Sequence, residues 1–223
     1  MYRPKAKGIW AAILSAALGL AGCGQVRDGH ELRLKHLVTI ATPTGDQTFS
    51  SVVSLRSNQA YGYSYGGAGW GAISCRLTGD AVRVVTQDRE FYFLLSRPGT
   101  TTPAWYQIGL IKSHFGLPNY TKDAAWVGQW RDLAQSGRFV DLKPEDYPAI
   151  AVMPRDGWID EARTVSLEAA ADEGLRIVQY RLQITTDPVG TQPSFVVRYR
   201  PREGNRPWGK IGKDYFSVLN GTA

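Results

Sequence analysis

From Leu32 onward the chain sets apolar residues at alternate positions. Leu32, Leu34, Val38 and Ile40 share one face with polar residues between them, and the alternation resumes in Phe49, Val53 and Leu55, in Ile73, Cys75 and Leu77, and in Val82 and Val84. A solid apolar run, Phe91–Leu95, follows. Side chains of a strand point to opposite faces in turn, so a period of two marks strands with one face buried. Turn residues break the pattern at Thr44-Gly45-Asp46 and Thr78-Gly79-Asp80, which predicts four or five antiparallel strands in a β-meander.

The period then lengthens. Ala104, Ile108, Ile111 and Phe115 stand at helical spacing behind Pro103, and beyond Gly116-Leu117-Pro118 a second helix carries Trp126, Trp130 and Leu133 on one stripe, stopping near Gly137. The last third mixes elements: an apolar run Tyr147–Met153, a helical turn Ser166–Ala171, and a strand in which Val178, Tyr180, Leu182 and Ile184 alternate with polar residues. A final strand is expected at Phe195–Tyr199, before a Gly- and Pro-rich tail. The expected fold class is α+β, with an N-terminal antiparallel β-meander, a helical pair lying on the sheet and a mixed β/α C-terminal part. No repeat or low-complexity linker divides residues 32–223, which read as a single domain.

The N-terminus has a different grammar. Residues 1–22 run from a cationic stretch holding Arg3, Lys5 and Lys7 through an apolar segment, Gly8–Leu20, to small residues ending at Cys23. That is the layout of a secretory signal peptide, and the apolar segment is shorter than the roughly 20 residues a membrane span needs. The sequence Leu20-Ala21-Gly22-Cys23 resembles the lipobox of bacterial lipoproteins. The resemblance implies a diacylglycerol on the Cys23 sulfur, cleavage before Cys23, acylation of the new amino group with a fatty acid such as palmitate, and attachment to the membrane. Gly24, in place of the Asp that marks inner-membrane retention, favours the outer membrane with the body facing the periplasm. Residues 23–31 then form a lipidated tether ahead of the globular domain. Two or more acyl chains anchor a protein durably where one does not.

Removing this segment changes the charge. The whole chain carries 26 basic and 20 acidic residues, but without Arg3, Lys5 and Lys7 the excess falls from +6 to +3. Nucleic-acid binding is not expected of so small a balance. If Cys23 carries lipid, Cys75 has no intramolecular thiol partner, and its place between Ile73 and Leu77 predicts a buried, inert thiol.

Candidate chemistry is sparse. The only histidines are His30, His36 and His114; no H-E-x-x-H, C-x-x-C, P-loop or dinucleotide fingerprint occurs, so neither a metal nor a cofactor is expected, and with so few histidines a Ser-His-Asp hydrolase is not expected either, so no catalytic residue is assigned. His36 interrupts an otherwise apolar face, and His114 stands near a helix C-terminus, where it can meet the dipole. The most unusual stretch, Tyr61–Gly71, sets Tyr61, Tyr63, Tyr65 and Trp70 among glycines. Aromatics give contact area at low entropic cost while glycines let the backbone adapt, which makes these four the candidate binding residues, although a flexible hairpin loop with its aromatics folded onto its own sheet is the simpler reading. A weak alternative acidic site is Asp156, Asp160 and Glu161 around Trp158, since glycan cleavage needs two carboxylates across a sugar, but a solvated acidic loop is the simpler reading of the same residues.

Two further stretches carry a resemblance: Gly79-Asp-Ala-Val-Arg-Val84 with Phe91–Leu95, and Tyr147-Pro148 with Arg181-Leu-Gln-Ile-Thr-Thr-Asp-Pro-Val189. They are similar to uncharacterised envelope proteins of Proteobacteria, which implies a location and a fold and no activity. The expectation is a membrane-anchored envelope lipoprotein that binds or scaffolds an envelope protein or peptidoglycan. An envelope hydrolase using the acidic cluster and an immunity-type lipoprotein against a secreted toxin are the alternatives.

Overall fold

Burial along residues 31–42 follows the sequence alternation position by position: Leu32, Leu34, His36, Val38 and Ile40 are buried and the residues between them are not. The computed structural model describes residues 26–27, 31–60, 73–96, 103–117, 124–155, 161–189 and 217–218. Its strands are β1 (Val26–Arg27), β2 (Glu31–Thr42), β3 (Gly45–Ala60), β4 (Ile73–Asp80), β5 (Val82–Val85), β6 (Arg89–Phe93), β7 (Phe139–Asp141), β8 (Ile150–Pro154), β9 (Arg163–Val165), β10 (Ile177–Thr185) and β11 (Ser217–Val218). The helices are α1 (Pro103–Phe115), α2 (Ala124–Ala134) and the short α3 (Leu167–Asp172).

The architecture is α+β with two antiparallel sheets. Among the described residues one sheet has seven strands in the order β11-β4-β3-β2-β10-β7, with β1 added to β3, and the other has four in the order β5-β6-β8-β9. The β4 and β5 strands are consecutive in sequence yet belong to different sheets, so the expected meander divides at the buried Ala81. Periodicity could not reveal this, because an alternating strand reads the same whichever sheet it joins.

Contacts divide the chain into two compact units. The smaller joins Met1–Gly29 to Ser57–Ser74, and its described core is the antiparallel pairing of Val26 with Ala60 and Arg27 with Gln59. Val26 and Arg27 thus lie in a strand, within the stretch read from sequence as tether. The larger unit, His30–Arg56 with Cys75–Ala223, holds the main hydrophobic core.

In the larger unit β2 is the central strand. It pairs with β3 through a tight turn at Pro43-Thr44 and with β10 on its other side. Gly45 closes that turn at φ 114°, a left-handed conformation that glycine adopts without steric cost. Gly79 is the second glycine the fold requires. Its φ is 139°, and a Cβ there would sit 2.8 Å from the Val52 carbonyl oxygen and 2.9 Å from Val53.

Leu182, Ile184 and Tyr180 continue the inward row on β10, as the alternation predicts, but Val178 does not. The register with β2 shifts between Ile177 and Gln179, and Val178 is left 55 % exposed. A bulge of this kind turns one residue out of step with its strand. On the opposite face of this sheet, Arg33 pairs with Glu31, Lys35 with Asp187 and Arg181 with Asp141. Pairs this exposed contribute little stability, and their main effect is to keep that face wet.

The four-stranded sheet obeys another rule. Phe91, Tyr92, Phe93, Ile150, Ala151, Val152 and Met153 are all buried, so β6 and β8 are covered on both faces. Continuous apolar runs such as Phe91–Leu95 are the signature of strands in that position. Of the helical pair, α1 buries Ala104, Gln107, Ile108, Leu110, Ile111 and Phe115, and α2 buries Trp130 and Leu133 against the sheet side formed by β2 and β10. The expected turn at Ser166 is α3, capped by the Ser166 hydroxyl, which accepts from the Ala169 amide at 3.2 Å. The expected strand at residues 195–199 lies outside the described residues.

Candidate functional site

His36 enters the core because its neighbours at every second position are apolar, and a polar ring there must find partners. It finds two. Nδ1 accepts from the Tyr180 hydroxyl at 2.8 Å, and Nε2–H donates to Gln107 Oε1 at 3.1 Å. The Gln107 amide in turn donates to the Leu95 carbonyl at 2.8 Å. These bonds run in one direction, from the phenol through the imidazole and the amide to a backbone oxygen, and they join β10, β2, α1 and the segment after β6.

The direction fixes the tautomer, with the proton on Nε2. All three side chains are buried, and burial holds the imidazole neutral by pulling its pKa down to about 4, against a smaller opposing contribution from Gln107. Burial also pushes the Tyr180 phenol well above its usual value, with Tyr106 and Tyr147 adding to the effect. Phe93 stands edge-on to the Tyr180 ring at 5.3 Å, and Tyr147 lies 5.2 Å from it. Enclosed in this way, the imidazole works as a structural hub.

A second buried polar group belongs to the four-stranded sheet. Glu90 accepts two hydrogen bonds from Arg83, at 2.6 and 3.0 Å, and one from the Tyr92 hydroxyl at 2.5 Å. Arg83 stands opposite Tyr92 in the β5–β6 pairing, which brings the three side chains to one face. A forked arginine contact of this geometry is what makes a buried carboxylate tolerable.

Most residues singled out by sequence fall elsewhere. Cys23, Tyr61, Tyr63, Tyr65, Trp70, Asp156 and Asp160 lie outside the described residues, as does the Cys75 side chain. Glu161 is exposed and lines a cleft of about 240 Å3 together with Arg89, Val152, Met153, Pro154, Arg163 and Glu173. Glu173 is paired there with Arg163 and, at 3.5 Å, with Arg89. His114 Nε2 lies 3.8 Å from Asp146 Oδ2.

Two other clefts belong to the larger unit. One, of about 440 Å3, lies between Phe115, Gly116, Leu117 and the α2 residues Gln129, Asp132 and Leu133, with Ser136 and Arg138 beside them. The other, of about 310 Å3, opens between the start of β2 and the end of α2 and is lined by Glu31, Arg33, Arg131, Ala134, Gln135, Thr185 and Thr186. Sequence reasoning missed both. Arg33 and Thr185 read as ordinary outward residues of their strands, and only the pairing of β2 with β10 brings them together across 152 residues of chain.

Among the described residues, no group of three or more His, Cys, Asp or Glu side chains is arranged to hold a metal ion, and no helix is long and apolar enough to cross a membrane. Compared with protein families, with curated proteins and with solved structures, the chain gives no match in any of the three.

Proposed function

We propose that this is a cell-envelope lipoprotein, anchored through lipid on Cys23 to the outer membrane with its body in the periplasm, and that the α+β body is a non-enzymatic module that binds or scaffolds an envelope protein or peptidoglycan. The observation that carries the proposal is Leu20-Ala21-Gly22-Cys23 directly behind a cationic and apolar leader.

The pairing of Val26 with Ala60 supports a contact surface near the anchor. Val26 is three residues beyond Cys23, a reach of about 10 Å at most when extended, and Ala60 immediately precedes Tyr61. A segment bearing Tyr61, Tyr63, Tyr65 and Trp70 that starts so close to the anchor suits a partner lying at the membrane surface. The hydrolase reading has less support. Glu161, its described member, shares its cleft with the carboxylate of Glu173, which is already engaged by Arg163 and Arg89, whereas glycan cleavage needs two carboxylates free to act across a sugar.

Two experiments test the proposal. Cys23→Ala should abolish labelling by radioactive fatty acid and leave precursor unprocessed; persistent labelling would refute the anchor. Crosslinking in cells should yield one abundant partner with the wild type that is lost when Tyr61, Tyr63, Tyr65 and Trp70 are changed to Ser. A partner retained by that variant would overturn the assigned surface.

A further inference from the structure

Three clefts lined by described residues of the larger unit differ in the chemistry of their walls. In the cleft around Phe115, Arg138 is offset by Asp132, and in the cleft around Met153, Arg89 and Arg163 are offset by Glu161 and Glu173. The cleft between β2 and α2 is richer in donors. It presents the guanidinium groups of Arg33 and Arg131, the Gln135 amide and the hydroxyls of Thr185 and Thr186, against the single carboxylate of Glu31.

That carboxylate is already committed. Glu31 Oε1 accepts from Arg33 Nε at 2.9 Å and from the Ser54 hydroxyl at 2.7 Å, and these bonds lower its pKa. The nearby acid Asp187 is likewise engaged, by Lys35 at 2.8 Å. Arg33 is held in place by the Thr186 and Asp187 carbonyls, each 3.1 Å from Nη1, so one guanidinium at the cleft is preorganised. Arg131 is the less engaged of the two. Among the described residues its charged contact is Asp132 at 3.7 Å, and its side chain is 60 % exposed. The Thr185 hydroxyl accepts from the Asp187 amide at 3.0 Å and keeps its own proton free to donate. The C-terminal end of α2 opposes an anion here, but the last turn of a helix acts only at short range and is outweighed by two forked cations.

From this arrangement we infer that the cleft between β2 and α2 is an oxyanion site of the phosphate class, with Arg131 as the ligand-facing cation and Arg33, Thr185, Thr186 and Gln135 completing the donor set. Guanidinium forks match the spacing of phosphate oxygens, and hydroxyl and amide donors suit the remaining lone pairs. A volume of about 310 Å3 accommodates a free phosphate or the phosphodiester headgroup of an anionic lipid. The site does not depend on the lipoprotein reading.

The test uses the full chain in neutral detergent at constant ionic strength set with chloride, titrated by calorimetry with inorganic phosphate and, separately, with glycerophosphoglycerol. Binding of both identifies a headgroup-competent site, and binding of inorganic phosphate alone identifies free phosphate as the source. Arg131→Gln should weaken binding about tenfold, and Asp132→Asn, which removes the acid beside that arginine, should strengthen it several-fold. Thermal unfolding midpoints of both variants, matched to wild type, keep misfolding apart from loss of binding. Absence of heat with both titrants overturns the proposal, and so does an Arg131→Gln protein that folds and binds like wild type.

Discussion

His36 and Tyr180 meet diagonally across the β2–β10 pairing. Leu182 is directly opposite His36, and Tyr180 stands opposite Val38, yet the phenol hydroxyl reaches Nδ1 at 2.8 Å. The diagonal sets the two rings 6.0 Å apart and tilted by 57°, and carries the phenol hydroxyl to the imidazole nitrogen.

Tyr180→Phe removes that hydroxyl and leaves Nδ1 buried without its donor. The expected cost is about 1–3 kcal/mol, more than the loss of an average exposed hydrogen bond, because a buried acceptor is stranded. Urea unfolding of the variant against wild type measures it.

Acid should destabilise the fold through His36. Its pKa in the folded chain is about 4, below the ordinary 6.5, so the unfolded chain takes up the proton first as the pH falls. The stabilisation is complete above pH 6.5, declines from there to about pH 4, and by then amounts to a loss on the order of 3 kcal/mol. Glutamine at this position can accept from Tyr180 and donate to Gln107 without titrating. Urea midpoints measured across this range should therefore be flatter in His36→Gln than in wild type, with a parallel pair of curves arguing against the assignment.

Arg83→Met should cost about 3–5 kcal/mol, because Glu90 would remain in the core without the forked contact from Arg83. Changing Glu90 to Leu in the same chain should recover most of that loss. Denaturant curves of the single and double variants give the coupling directly.

Gly79→Ala combines two penalties, a left-handed φ and a methyl group 2.8 Å from a carbonyl oxygen of β3. A loss above about 1 kcal/mol is expected, with a clear drop in the thermal midpoint. Gly45→Ala has the same backbone penalty but nothing within 4 Å of the new methyl, so it should be the milder of the two.

How much of this was legible in the sequence depends on how local the cause is. The inward row of β2, including the position of His36, follows from a period of two within ten residues. The burial of Trp130 and Leu133 follows from a helical stripe, and the cap at Ser166 from a single polar residue before an alanine run. The crossing between sheets at Ala81 has no such signal, and the exposure of Val178 depends on a register shift against a strand more than a hundred residues away. Strands β7, β9 and β11, two or three residues long, lack enough pattern to be read. The same holds for the sites. A lone histidine among apolar neighbours announces that it needs partners, but Gln107 and Tyr180 become its partners only through tertiary pairing. The donor set of Arg33, Arg131 and Thr185 is scattered over three elements with no motif to join it.

The strand order β3-β2-β10 also sets an order in time. β2 and β3 are joined by a tight turn and can pair as soon as both have been made, whereas Tyr180 follows His36 by 144 residues. Until β10 arrives, the middle strand of the finished sheet is an edge, with unpaired amides and carbonyls beside a bare apolar row. A chain stopped short of residue 177 therefore lacks the cover of its central strand, and the last third of the sequence protects what the first third exposes.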